Sequence, residues 1–230
     1  MRMLPNFKDE ATQYMRLVNK LEPQKIVAMA VNIASNVEMF EDVVGQMIVD
    51  EEIDYTFLPY DFDTSDYSNI ALRAMNEDPD LYILSGYSFQ IYGLMRALAA
   101  YGVPPSKIVV TMDFVDLIYG DTPREELAGY YFTTPAFEIP GKSEQADAFR
   151  ERYAARFGAT PSYVEAFAYD TAAMVVTAYK NSGMVNPETI MALSPFTGVT
   201  GTVTFDEFGD VSGSTTVAQF GADGEITEVE

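Results

Sequence analysis

Apolar residues in the first half of the chain switch repeatedly between two spacings. Between residues 8 and 21, Ala11, Tyr14, Met15, Val18 and Leu21 recur at the interval of a helix face, and Pro23 stops the run. Lys25-Ile-Val-Ala-Met-Ala30 then runs apolar without alternation, the pattern of a strand buried on both faces. The same reading predicts a helix over 37–51, with Phe40, Val43, Val44, Met47 and Ile48 on one side, and a strand over 55–59. A helix over 67–75 and a buried strand over 81–84 follow. Ile91, Leu94, Met95 and Leu98 mark a helix over 89–100, ended by Gly102, Pro104 and Pro105. Residues 107–112 give a fourth strand. Strands alternating with helices over short connections predict an α/β fold, a parallel sheet flanked by helices and joined by right-handed crossovers.

The pattern changes after Thr134. A turn at Glu138-Ile-Pro-Gly141 leads to a charged amphipathic helix over 142–157. The next helix, 162–181, is apolar nearly all round, with Val164, Phe167, Ala168, Ala172, Val175, Val176 and Tyr179. Such a helix is expected to be covered on most sides. A short helix over 187–193 comes next. Val203-Thr-Phe205 and Val217-Ala-Gln-Phe220, flanking Gly209, predict a hairpin or extended ribbon. The boundary between the two patterns falls near 135–141.

Charge narrows the choice of partners. Fourteen Lys and Arg against 35 Asp and Glu leave a net charge of -21. That field repels phosphate backbones and anionic lipid surfaces, so nucleic acid is not an expected partner. Two readings of it stand: a solubilising surface for a salty or extracellular medium, or a field that steers cationic ligands into a cleft. The chain has no Cys and no His, which removes thiolate nucleophiles, zinc clusters and the commonest general base. No cofactor or metal is therefore expected. Asp113 and Asp116, three residues apart on one loop, read as a polar loop and not an acid–base pair. Asp206-Glu-Phe-Gly-Asp210 lacks the regular oxygen spacing and closing Glu of a calcium loop, and reads as a turn at Gly209. Met1 to Pro5 passes directly into polar Asn6 to Glu10, so no signal peptide is expected. The longest apolar stretch, Ala166 to Ala178, is broken by Asp170 and is too short for a membrane span.

One set of residues carries a family resemblance. Phe149, Tyr153, Arg156-Phe-Gly158, Pro161 and Ala168-Tyr-Asp170 are followed by Gly198-Val-Thr-Gly201, Phe205-Asp206 and Gly209-Asp210. This series resembles the C-terminal signature of bacterial type I solute-binding proteins, the Leu/Ile/Val-binding receptors of ABC transporters in particular. The opening Arg2 to Pro5 resembles the crossover strand that enters their second lobe. The resemblance implies that residues 1–135 are that second lobe and that the N-terminal lobe is missing. Residues 136–212 would be helices and ribbon of the incomplete first lobe, and 213–230 a crossover strand and tail. It implies reversible, non-catalytic capture of an amino acid or related solute for a membrane permease of an ABC transporter. The alternative is a ligand-sensing module read by a signalling partner. The full-length form would be periplasmic or extracellular. Without its partner sheet, helix 162–181 would promote self-association or pairing with another protein.

In open parallel sheets ligands gather beyond the C-terminal strand ends. Three loops lie there: Asn32 to Asn36, Ser85 to Ser88, and Thr111 to Phe114. Ser35 and Asn36 read either as helix caps or as polar ligand contacts. Gly86 permits close backbone approach; Tyr87 reads either as hinge packing or as an aromatic ligand contact, and Ser88 supplies a hydroxyl. Asp113, with Phe114 beside it, reads as a capping residue or as a receptor for a cation. The resemblance implies the second role, with Tyr87 against the ligand, Asp113 on its α-ammonium and the carboxylate-binding donors on the missing lobe.

Overall fold

The structure, a computed structural model, describes residues 3–212 and 215–229, with the backbone alone at position 7. Arg2 of the opening segment and Gly213 and Ser214 of the tail lie outside the described residues.

The elements run α1 (Phe7–Leu21), β1 (Lys25–Val31), α2 (Ala34–Val37), a π-helical segment (Glu38–Val43), α3 (Val44–Asp50), β2 (Asp54–Tyr60), α4 (Ser68–Asn76), β3 (Leu81–Ser85) and α5 (Ser88–Ala100). Then come β4 (Ile108–Val110), α6 (Phe114–Tyr119) and β5 (Tyr131–Pro135). Three helices follow, α7 (Glu144–Phe157), α8 (Tyr163–Ser182) and α9 (Pro187–Met191), then the short β6 (Phe196–Gly198), β7 (Gly201–Phe205) and β8 (Val211–Ser212). The chain closes with β9 (Thr215–Phe220) and β10 (Ile226–Glu228). Two compact units result: Ala11–Thr133 with Val217–Glu230, and Met1–Glu10 with Thr134–Thr216.

The larger unit is built on a seven-stranded sheet in the order β10-β9-β5-β4-β3-β1-β2. Neighbouring strands from β1 to β5 pair in parallel, while β10 runs antiparallel to β9. The non-alternating apolar runs mark interior strands of the sheet, where Ile26 to Val31 and Leu81 to Leu84 are buried. From α1, Ala11, Tyr14, Leu17 and Val18 are buried, and the Tyr14 ring lies 6.2 Å from that of Phe40 in the π-helical segment. The sheet has three more strands than the apolar pattern predicts. β5 escapes that pattern because Phe132 is followed by Thr133 and Thr134, polar residues that are nonetheless fully buried. The predicted hairpin around Gly209 is corrected. β7 pairs with β6 and β8, whereas Val217 to Phe220 belong to β9 in the large sheet. Val217, Ala218 and Phe220 are buried there, which a two-stranded ribbon does not achieve.

In the smaller unit Phe137, Ala146, Phe149, Ala166 and Val199 form the core, flanked by Tyr153 and Tyr163. Ser143 caps α7 and accepts from the Ala146 amide, while Gly158 ends it in the left-handed conformation. Ser162 and Glu165 form a capping box at the start of α8. Asp170, buried within α8, accepts from the Val199 amide at 2.9 Å, the Thr200 amide at 2.8 Å and the Thr200 hydroxyl at 2.7 Å. Gly198 is required beside it, since a Cβ there would collide with the Asp170 carboxylate. The Asp206 carboxylate accepts from the Phe208 and Asp210 amides and closes the 206–210 turn on itself. The expectation for α8 changes: it buries one face (Ala166, Phe167, Asp170, Met174, Ala178) and leaves Val164, Tyr169, Val175, Val176 and Tyr179 exposed.

Candidate functional site

Three loops at the C-terminal ends of β1, β3 and β4 enclose a cleft of ≈110 Å³ in the larger unit. Val31, Ile33 and Asn36 line it from the first loop, Ser85, Gly86 and Tyr87 from the second, and Asp113 from the third. Parallel strands deliver all their C-terminal ends to one edge of a sheet, so residues far apart in sequence converge there.

Local hydrogen bonds fix each wall. The Asn32 amide donates to the Tyr60 carbonyl at 2.7 Å, and the Asn36 side-chain amide donates to the Val31 carbonyl at 3.3 Å. The Tyr60 hydroxyl donates to the Ser85 carbonyl at 2.8 Å, joining β2 to the end of β3. Burial holds that hydroxyl well above the ordinary phenol range, so it remains a neutral donor. Gly86 sits at φ 154, and a Cβ there would run into the Tyr60 hydroxyl. The Gln90 carboxamide, fully buried on α5, accepts from the Tyr87 amide at 3.1 Å and donates to the Phe62 carbonyl at 2.9 Å.

Asp113 is the charged member of the lining. Its carboxylate accepts from the Thr111 hydroxyl at 3.3 Å. It occupies the N-cap position of α6 but makes no capping bond with its side chain. Burial pushes its carboxyl up to about 6, an effect the Thr111 hydrogen bond partly offsets and the nearby Asp116 charge reinforces. A half-buried carboxylate with no cation beside it among the cleft lining is stabilised by an incoming one.

Of the residues singled out from sequence, the structure brings Asn36, Tyr87 and Asp113 together around the cleft. Ser35 and Ser88 lie within the first turns of α2 and α5, outside the cleft lining, and neither caps its helix: Ile33 and Tyr87 hold the N-cap positions. Phe114 is corrected to a core residue. It is fully buried, with its ring 4.8 Å from Phe132 and 6.0 Å from Tyr130, because α6 starts there and turns its first residue into the core. Sequence reasoning passed over Tyr60 and Gln90. For Gln90 the signal was present, a Gln three residues after an N-cap position.

The sequence matches the periplasmic binding protein family over residues 1–225. No curated protein matches it at a significant level. The fold is similar to that of a leucine-binding protein from Thermotoga maritima, with a TM-score of 0.81 and 19% identity, covering 97% of this chain and 65% of that one. A branched-chain amino acid ABC transporter periplasmic ligand-binding protein from Burkholderia xenovorans gives a TM-score of 0.83 at 16% identity, covering 100% of this chain and 64% of that one. A branched-chain amino acid transporter substrate-binding protein from Streptococcus pneumoniae, in complex with isoleucine, gives 0.76 at 18% identity, with 97% and 66% covered. The chain thus spans 65% of the length of the Thermotoga protein.

Proposed function

This chain belongs to the periplasmic binding protein family, and from that premise we propose that it binds an amino acid or close relative without changing it chemically. In this reading it serves as the solute-binding component of an ABC transporter outside the cytoplasmic membrane and passes the ligand to a membrane permease. The larger unit is the lobe that carries the ammonium-binding half of the site. The helices and ribbon of the smaller unit belong to the other lobe.

The observation that carries the reading is Asp113. It stands at the end of a central parallel strand, lines a cleft shared with Asn36 and Tyr87, and is held at a raised proton affinity by burial. A cationic ammonium group supplies a countercharge that the Thr111 hydroxyl does not, and Ser85 and Asn36 add polar contacts. The likeness to proteins described as leucine- or branched-chain amino acid-binding supports an amino acid over other amines. Calorimetry with a panel of amino acids on the wild-type chain and Asp113→Asn tests it. Removing one member of a desolvated charge pair is expected to cost about 2–5 kcal/mol of affinity for the best ligand. An unchanged dissociation constant would remove Asp113 from the site and the reading with it.

A further inference from the structure

Three exposed aromatic rings stand together beside the cleft. Tyr87 belongs to its lining; Phe89 follows two residues later, and Phe62 lies on the loop after β2. The Tyr87 and Phe89 rings are within 15° of parallel with centroids 6.2 Å apart, and Phe62 meets Tyr87 edge to face at 5.6 Å and 82°. They are 48%, 61% and 55% exposed, respectively. Gln90 supports them from beneath. Its one buried carboxamide binds both the Tyr87 amide and the Phe62 carbonyl, so the two ring-bearing loops are fixed to each other.

The charge around these rings is mostly negative: the groove that Phe62 and Phe89 line also holds Asp63 and Asp66, against one cation, Arg96. From residue 26 to residue 72 the chain holds ten acidic residues and no Lys or Arg, and the loops at 85–88 and 111–114 add Asp113 and again no basic residue. The chain's own arginines sit over other rings: Arg96 over Tyr92 in that same groove and, elsewhere, Arg124 over Phe220, Arg150 over Phe137 and Arg156 over Phe157. None of these four pairs uses Phe62, Tyr87 or Phe89. Aromatic faces in a negative field attract organic cations, and a guanidinium, weakly hydrated and planar, stacks on them best.

We propose that Phe62, Tyr87 and Phe89 form a specificity platform for a second cationic group, so that the ligand is a basic amino acid or a similar molecule carrying two cations. The proposal rests on the solute-binding reading and deepens it: Asp113 takes the ammonium, and the rings take the distal cation. Gln90 is a positioning residue, acting through the two loops it joins.

Ligand-observed NMR on the 230-residue chain, which detects millimolar binding, tests it with arginine, its neutral isostere citrulline, and leucine. Arginine is expected to bind about tenfold more tightly than citrulline or leucine, the size of one to two desolvated cation–π contacts. Phe62→Leu and Phe89→Leu keep apolar bulk but remove the ring faces, and should each weaken arginine about 3–10-fold while leaving citrulline within about twofold. Gln90→Glu keeps an acceptor for the Tyr87 amide and loses the donor to Phe62; it should weaken arginine selectively with an unchanged circular dichroism spectrum. The preference should persist at ~0.5 M salt, where long-range steering is screened. Citrulline or leucine matching arginine, ring variants without effect, or a preference abolished by salt would each overturn the platform while leaving Asp113 in place. Wild-type chain that binds none of the three would overturn the solute-binding reading and the platform together.

Discussion

The two units of this molecule close their cores in opposite ways. The larger unit satisfies its apolar pattern within itself: β1, β3 and β4 are buried, and charge is left for the surface. It holds seven of the 14 basic residues and 23 of the 35 acidic ones, a balance of -16. The smaller unit holds the other seven basic residues and only 12 acidic ones, a balance of -5. Its helix α8 carries more apolar surface than its own core uses, leaving Val164, Tyr169, Val175, Val176 and Tyr179 exposed along 20 residues. Exposed large apolar residues on the larger unit include the rings gathered at its cleft. A surplus of apolar surface therefore means different things in the two places. Beside the cleft it is the surface for which we propose recognition; along a helix with one face already packed it marks surface that the unit's own core leaves unused.

Mutations that separate the units should separate their transitions. Phe132→Ala removes a fully buried ring packed on Phe114 and should destabilise the larger unit by about 3–5 kcal/mol. Hydrogen exchange that loses protection in α7 and α8 to the same extent would show that the units unfold as one. Asp170→Leu strands the Val199 and Thr200 amides and the Thr200 hydroxyl, and should cost the smaller unit about 2–4 kcal/mol. Its signature is lost protection around 198–201, with β1 and β3 unaffected.

Asp113 sharpens the comparison through pH. Its carboxyl is raised from 3.8 to about 6, so the folded state holds this proton more tightly than the unfolded chain does. The ionised form costs stability above pH 6, and the fold gains as pH falls from about 7 to about 4. The gain should reach roughly 1–3 kcal/mol. Asp113→Asn is expected to be the more stable protein at pH 8 and to lose that advantage at pH 4, even as it binds ligand less well. Denaturant midpoints of the two proteins that stay parallel across this range would contradict the raised carboxyl. The smallest effect belongs to α8: Val176→Ser and Tyr179→Ser should leave unfolding within about 0.5 kcal/mol of wild type, because both side chains are already exposed.

Much of this arrangement is written locally in the sequence. β1 and β3 are unbroken apolar runs, so their boundaries and the loops after them could be read directly, and Asn36, Tyr87 and Asp113 followed from those loops. β5 and β9 could not be read this way. β5 buries threonines, whose hydroxyls make it look like a loop, and the partner of β9 lies some ninety residues upstream, beyond the reach of any spacing argument. Phe114 was misplaced because an apolar residue after a strand end looks the same whether it faces a ligand or starts a helix into the core. Gln90 acts through backbone groups on two loops, and only the bond to Tyr87 has a sequence interval.

The position of β9 also governs the order in which the protein can be assembled. The Phe220 amide and carbonyl bond to Tyr130 and Gly129, and Arg124 reaches the Gly224 carbonyl, so the larger unit is finished by its last 14 residues. A ribosome that has delivered residues 11–133 must make 83 more before those strands exist. Joining ends across such a span costs about 4 kcal/mol in the logarithmic term of loop closure. Throughout that interval β5 is an open edge, a template for any passing strand. Translation that halts before residue 217 would thus release an aggregation-prone intermediate, and the need for a chaperone is greatest while residues 134–216 are being made.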